Sequence, residues 1–280
     1  MREIEVGEII NAVKKICIDA NFLLPEDVWK KLKEAQQKEE SAVGKEVLNQ
    51  IIENDKIAEK EKIPMCQDTG LAIIFAEIGQ DVHLTGGNFS DAINQGVREG
   101  YKEGYLRKSV IADPLNRKNT GDNTPAFIHT EIVPGDKIKI SIVPKGGGSE
   151  NMSAVAMLPP SAGIEGVKKF VVDVVKKAGS NPCPPIVVGV GIGGSFDMVT
   201  YLAKKSLLRP LDSQNPNKFY ADLEKELLEN INNLGIGPQG LGGRFTALAV
   251  LIETYPCHIT AIPVAVNIQC HACRRATIVI

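Results

Sequence analysis

The chain has 280 residues, 43% of them hydrophobic and 24% charged, with a formal net charge of -2. That is enough apolar material for a large core without disulfide support, and the two signs of charge are interspersed, which excludes the concentrated basic face a nucleic-acid binder needs. Met1-Arg2-Glu3-Ile4-Glu5 carries acids where a signal peptide has its basic region, and no apolar run reaches the roughly 18 to 20 residues of a membrane span, so a cytoplasmic protein is expected and the sequon at Asn151 carries no glycan.

In chain order, the apolar positions Ile9, Ile10, Val13, Ile16 and Cys17 follow the 3.6-residue period and predict a helix from Glu3 to Phe22. A second helix opens at Pro25, with Glu26 and Asp27 at its positive end, and a charged third runs from Ser41 to about Lys62. Leu71 to Ile78 reads as a buried strand and Asp91 to Leu106 as a helix. The polar stretch from Asp113 to Asp122 faces solvent or a site. Runs at 124–133 and 137–143 predict a hairpin around Pro134-Gly135-Asp136. Lys145-Gly146-Gly147-Gly148-Ser149-Glu150-Asn151 follows, its glycines suited to close approach of backbone to a ligand.

A helix is predicted over 164–177, then a loop with Cys183 between prolines, then a strand at 186–188. Gly189-Val190-Gly191-Ile192-Gly193-Gly194 matches the dinucleotide fingerprint on its face, opening a helix at Ser195. The acidic residue that should hold the ribose is missing, since Asp212 lies in a loop after a helix, so the turn reads instead as a seat for a small anion. A helix over 217–233, a glycine-rich loop over 235–243, a small apolar run over 247–253 and a last strand over 259–268 complete the chain. The whole reads as one α/β domain, 1–280, with a mixed sheet. A helical N-terminal layer (1–62) precedes the site-bearing part (63–280), whose cysteine loops converge on one pocket.

The six cysteines of a cytosolic chain point to buried thiols, catalytic groups or metal ligands rather than disulfides. Cys17 and Cys257 sit beside apolar patterns and read as small buried hydrophobes. Cys66 heads Cys66-Gln67-Asp68-Thr69-Gly70, Cys183 stands between prolines, and Cys270 opens Cys270-His271-Ala272-Cys273-Arg274-Arg275, none of which a buried hydrophobe requires. Three such thiolates suit a [4Fe-4S] cluster with three cysteine ligands and one open iron, a Lewis acid for a substrate hydroxyl and carboxylate. Zinc competes through the pair Cys270 and Cys273, although no second pair stands at ribbon spacing. A non-catalytic metal scaffold and a dinucleotide-dependent oxidoreductase are the rival classes.

Five ordered motifs then resemble the alpha region of the class I, iron-sulfur fumarate hydratase and L-tartrate dehydratase family: Cys-Gln-Asp-Thr-Gly at 66–70, the 113–125 stretch ending Asn-Thr-Pro, Lys-Gly-Gly-Gly-Ser-Glu-Asn at 145–151, Cys-Pro-Pro at 183–185, and Gln-Cys-His-Ala at 269–272 with Arg274-Arg275. The resemblance implies cluster ligands at Cys66, Cys183 and Cys270, with Cys273 an extra thiol. It implies substrate contacts from Gln67, Asp68, Arg107 and the backbone of Gly146, Gly147 and Gly148, with His258 as an active-site histidine. Chemistry agrees for Arg107 and Asp68, because a dicarboxylate needs guanidinium forks and a departing hydroxyl needs a proton. A lone histidine beside an apolar strand more often belongs to the core, so His258 rests on the resemblance. Family members made as one polypeptide continue into a second region that this chain lacks after Ile280. The expectation is an alpha subunit that works with a separate beta subunit, as a dimer of alpha-beta pairs, on a small dicarboxylate. Hydration of fumarate to L-malate is the first expected reaction and tartrate dehydration the alternative.

Overall fold

The computed structural model describes all of residues 1–280. The chain is α/β, with N-terminal helices and mixed sheets, and divides into two compact units interleaved in sequence. One comprises residues 1–25, 54–146 and 274–280, and the other residues 26–53 and 147–273. The N-terminal helices are shared out: α1 (Val6–Phe22) belongs to the first unit, α2 (Glu26–Lys38) to the second, and α3 (Ala42–Glu61) contributes to both. No helix is long and apolar enough to cross a membrane.

In the first unit α1 starts at Val6 rather than Glu3, because Arg2–Glu5 forms a strand, β1. The short strand buries only Ile4 and lies parallel to Val82–Thr85, named β3, so its partner is remote and its pattern too brief to read. The main sheet has the order β10 (Ala276–Val279), β5 (Ile138–Lys145), β2 (Leu71–Gly79), β4 (Phe127–Val133). Helix α4 (Phe89–Glu103) begins where the Asn88 side chain accepts the N–H groups of Ser90 and Asp91, a standard N-cap. Ile93, Val97 and Tyr101 of α4 join Ile9, Val13 and Cys17 of α1 and Ile74, Ile138 and Ile140 of the sheet in one core.

The predicted hairpin is not formed. β4 and β5 flank β2 on opposite sides, β4 parallel and β5 antiparallel to it. The turn at Pro134–Asp136 is present, but it passes over the end of β2: the N–H groups of Gly79 and Asp81 bond to the carbonyls of Lys137 and Gly135. A methyl group on Gly79 would stand 2.4 Å from the Gly135 oxygen. β4 and β5 therefore make their hydrogen bonds to strands from elsewhere in the chain and none to each other.

The second unit holds α5 (Gly147–Glu150), β6 (Ala154–Leu158), α6 (Gly163–Ala178), β7 (Ile186–Gly193), α7 (Phe196–Ser206), α8 (Lys218–Asn232), β8 (Ala247–Tyr255) and β9 (Ile262–Gln269). Its sheet has the order β6, β9, β7, β8, with β8 parallel to β7 and β9 antiparallel. Val171, Val175, Leu227 and Ile231 from α6 and α8 pack with Val188, Val190, Val266 and Ile268, while Val199 and Ala203 of α7 pack with Ala265.

The glycine run expected to form an anion-binding turn is largely strand. Gly189 and Gly191 lie inside β7, where an added Cβ would come within 2.3 Å of the Ala203 carbonyl oxygen and 2.2 Å of that of Val199. These glycines let α7 lie directly on the strand. At the start of α7, Ser195 Oγ donates to the Asp197 carboxylate, which is held below its usual range chiefly by that bond. An acid already occupies the positive end of the helix, which disfavours a second anion there.

Candidate active site

The first unit gathers Cys66, Gln67, Asp68, Arg107 and Gly146 around the loop that enters β2. Its backbone is pinned at successive residues. Met65 donates its N–H to the Asn21 carbonyl at 3.0 Å, and its own carbonyl accepts from Asn54 Nδ2 at 2.9 Å. The Asp68 carbonyl accepts from Arg274 Nη2 at 2.8 Å, and the Tyr101 hydroxyl lies 3.0 and 3.1 Å from the carbonyl oxygens of Thr69 and Gly70. Asn123 Nδ2 also reaches the Gly70 carbonyl, at 3.2 Å. Gly70 has φ +74, and a Cβ there would lie 2.5 Å from the Lys145 carbonyl, so only glycine lets the loop enter the strand here.

Those bonds leave the reactive side chains at the surface. Cys66 is half-buried with its Sγ 3.4 Å from Gln67 Oε1, and Gln67 is exposed. Asp68 Oδ1 accepts the Gly70 N–H at 3.1 Å, and its Oδ2 lies 3.2 Å from where a Cβ on Gly146 would stand. Thr69 Oγ1 donates to the Arg107 carbonyl at 3.0 Å, which ties the segment carrying the exposed Arg107 side chain to the same loop. The arrangement puts a thiol, an amide, a carboxyl group and a guanidinium on two joined, solvent-facing segments. The 113–122 stretch that follows is exposed or half-buried throughout, with Asp113, Thr120 and Asp122 the half-buried positions, as expected.

Beneath this loop lies a buried polar group that sequence reasoning missed. Arg274 is 1% exposed and donates from Nη1 to Asn21 Oδ1 at 3.0 Å as well as from Nη2 to Asp68. Burial pushes Asp55 up to about 6, against the lowering effects of Asn54 and Arg274. The signal available was the Arg274-Arg275 pair after Cys273, but nothing local names Asn21 and Asp68 as its partners.

The second unit brings Cys183 and Cys270 to one end of its sheet. Gln269 pairs with Val187, so the loop before β7 and the loop after β9 adjoin, and the His271 N–H lies 3.4 Å from the Cys183 carbonyl. Cys183 is exposed, with φ +56, in a loop held by the Gln239 N–H and Nε2, both on the Pro184 carbonyl. Cys270 is half-buried, its Sγ 3.7 Å from the Ala272 carbonyl, whereas Cys273 is buried. The glycine loop is a short helical turn here: Gly147 and Gly148 are exposed, and a Cβ on Gly148 would lie 3.4 Å from the Asn181 carbonyl of the Cys183 loop.

His258 goes elsewhere. It follows β8, at the end of the sheet where Gly193 pairs with Tyr255, and the eight residues of β7 separate that end from Cys183 and Cys270, a span of about 25 Å at strand rise. It is exposed, with Nδ1 2.7 Å from Thr260 Oγ1, and lines a cavity of about 510 Å³ with Met157, Phe196, Met198 and Tyr255. Cys257 beside it is exposed rather than buried, because β8 runs past the end of the core and its residues from Thr254 onward face solvent. Cys17 is buried as expected, and burial pushes its thiol far up.

No group of three or more His, Cys, Asp and Glu side chains stands ready to hold a metal ion, so the expected single cysteine pocket is not formed. The donor chemistry nonetheless fits: the thiols of Cys66, Cys183 and Cys270 are all accessible, as is that of Cys257, while the thiols of Cys17 and Cys273 are buried.

Comparison with known proteins gives a consistent answer. The family described as "Fumarate hydratase (Fumerase)" matches residues 10–279. A Methanocaldococcus jannaschii protein named "Putative L(+)-tartrate dehydratase subunit alpha" is 48% identical over 276 residues, covering 96% of each chain. The L(+)-tartrate dehydratase subunit alpha of Escherichia coli O157:H7 is 37% identical over 290 residues, 100% of this chain and 94% of that one. The corresponding subunit of Escherichia coli K12 is 36% identical over the same length. A match over nearly the whole chain identifies this protein as a member of the fumarate hydratase family of hydro-lyases.

Proposed function

We infer that this chain is the alpha subunit of an L-tartrate dehydratase. The observation that carries the choice is the near full-length similarity to alpha subunits of that enzyme, which favours tartrate over the fumarate hydration expected first. The subunit names of those relatives support a separate beta subunit as partner. L-Tartrate and L-malate, the hydrated partner of fumarate, differ by one hydroxyl, and the same binding groups serve both.

In this reading Cys66, Cys183 and Cys270 are the ligands of a [4Fe-4S] cluster. Bound there, such a cluster supplies a Lewis acid for the substrate. The exposed Arg107 guanidinium takes a substrate carboxylate in a bidentate grip, and Gln67 with the backbone of Gly146 to Gly148 orients the dicarboxylate. Loss of water removes a proton from one carbon and a hydroxyl from the next, leaving an enol that tautomerises to a keto diacid. Asp68 provides the proton for the departing hydroxyl, and the base at carbon comes from the beta subunit. In the complex with that subunit, Arg107→Ala and Asp68→Asn are each expected to lower kcat/KM for L-tartrate by about a hundredfold or more. Steady-state kinetics with L-tartrate, L-malate and fumarate test the reading; preference for fumarate and malate would reverse the substrate choice, and full activity in both variants would remove the residue roles.

The position of His258 bears on assembly. Its place at the far end of the sheet favours action at the site of a second copy of the chain over action at its own. Co-expressed Cys66→Ser and His258→Asn chains, each inactive alone, are then expected to regain about a quarter of wild-type activity, from one intact site in each mixed pair. No recovery would place the histidine outside the chemistry or in its own chain's site.

A further inference from the structure

The turn at Gly147–Glu150 ends in polar residues to which the proposed chemistry assigns nothing. Glu150 is gripped from two elements: Lys204 Nζ of α7 donates to Oε1, and Asn267 Nδ2 of β9 donates to Oε2 at 2.8 Å. The same Asn267 amide donates to Ser153 Oγ at 2.9 Å, and that hydroxyl lies 3.2 Å from the Ile268 nitrogen. Ser149 Oγ stands 3.4 Å from Gln269 Oε1, both buried. Asn267 and Gln269 are the last residues of β9 before Cys270, and on the other side Gly148 abuts the Asn181 carbonyl two residues before Cys183.

A four-residue helical turn cannot sustain itself, and its own glycines, Gly147 and Gly148, add to the entropy of ordering. Its orientation must come from anchors. A carboxylate taking one charged and one amide donor from two elements fixes both the place and the rotation of the turn. The Lys204 side chain is only 15% exposed, so the ion pair is sheltered from the screening that weakens surface pairs.

We propose that Glu150 is a positioning residue: held by Lys204 and Asn267, it seats the Gly147–Gly148 turn against the Cys183 loop and the end of β9, and thereby sets the exposure of the Cys183 and Cys270 thiols. The inference deepens the reading of those cysteines as ligands, but its test reads the cysteines themselves. The metal-free, full-length wild type, Glu150→Gln, Lys204→Met and Lys204→Arg are alkylated with iodoacetamide under native conditions, and rates are read at each cysteine by mass spectrometry. Cys257, exposed at the far end of the same sheet, is the control for reagent and pH, and the buried Cys17 and Cys273 report global loosening.

Glu150→Gln and Lys204→Met are expected to raise the rates at Cys183 and Cys270 about fivefold or more through local opening, with Cys257 unchanged, Cys17 and Cys273 still protected, and Lys204→Arg restoring the wild-type pattern. Lys204→Met cuts the contact from α7 and carries the test if Glu150→Gln does not fold. Unchanged rates at Cys183 and Cys270, or rates that rise together with Cys17 and Cys273, would overturn the proposal. Absence of L-tartrate dehydration by the wild-type complex would instead overturn the functional reading and leave the alkylation result standing.

Discussion

Replacing Arg274 by methionine is expected to destabilise the chain by about 2 to 4 kcal/mol, because one buried and one partly buried acceptor lose a charged donor at once and each such loss costs about 1 to 3 kcal/mol. The acceptors are Asn21 Oδ1 and the Asp68 carbonyl, so the same substitution releases α1 from the loop and the loop from its floor. Arg274→Lys keeps the charge and one bond and should cost less. The difference also depends on pH. Asp55, pushed up to about 6 by burial, is protonated in the folded wild type at pH 5 and ionised at pH 8, where Arg274 offsets its charge. Without Arg274 the folded-state pKa rises further, and the variant's stability is lost over a window extending above 6. Urea unfolding should therefore show a larger gap between wild type and Arg274→Met at pH 8 than at pH 5. Equal stabilities at both would mean that Arg274 does not hold the loop.

What the chain discloses about itself depends on how local the physics is. The helices α1, α3, α6 and α8 carry long apolar stripes, and each was legible within a few residues of its ends. Strands β1, β6 and β10 have only four or five residues; β1 buries a single side chain, and β6 and β10 follow a half-buried alternation that cannot be told from loop. The false hairpin has the same root, for the turn is coded by neighbouring residues, whereas the insertion of β2 between the two strands is decided by residues some 60 positions away.

The site divides in the same way. The loop at Cys66 was conspicuous because Gln67, Asp68 and Thr69 have no place in a core, and the structure leaves Cys66, Gln67 and Asp68 facing outward while Thr69 turns inward to hold Arg107. Arg274 was not legible as a support, since its partners lie more than 200 residues away. The exposure of Cys257 was missed because an apolar run predicts a strand but not where that strand leaves the core. Cys273, so close to Cys270 in sequence, differs from it in burial, which argues against its exchanging with Cys270 as a ligand.

The central claim is that three accessible thiols serve one iron-sulfur cluster. On that claim, serine hydroxyls at positions 66, 183 and 270 would weaken iron binding, because the hydroxyl is a harder ligand than a thiolate and stays protonated at neutral pH. The deciding measurement is the iron, acid-labile sulfide and zinc content of the anaerobically reconstituted chain, for wild type and each single Cys→Ser variant. About four irons and four sulfides per chain are expected in wild type and in Cys17→Ser, Cys257→Ser and Cys273→Ser, with both depleted in Cys66→Ser, Cys183→Ser and Cys270→Ser. Zinc with negligible sulfide, or a full cluster in any one of those last three variants, would contradict the account.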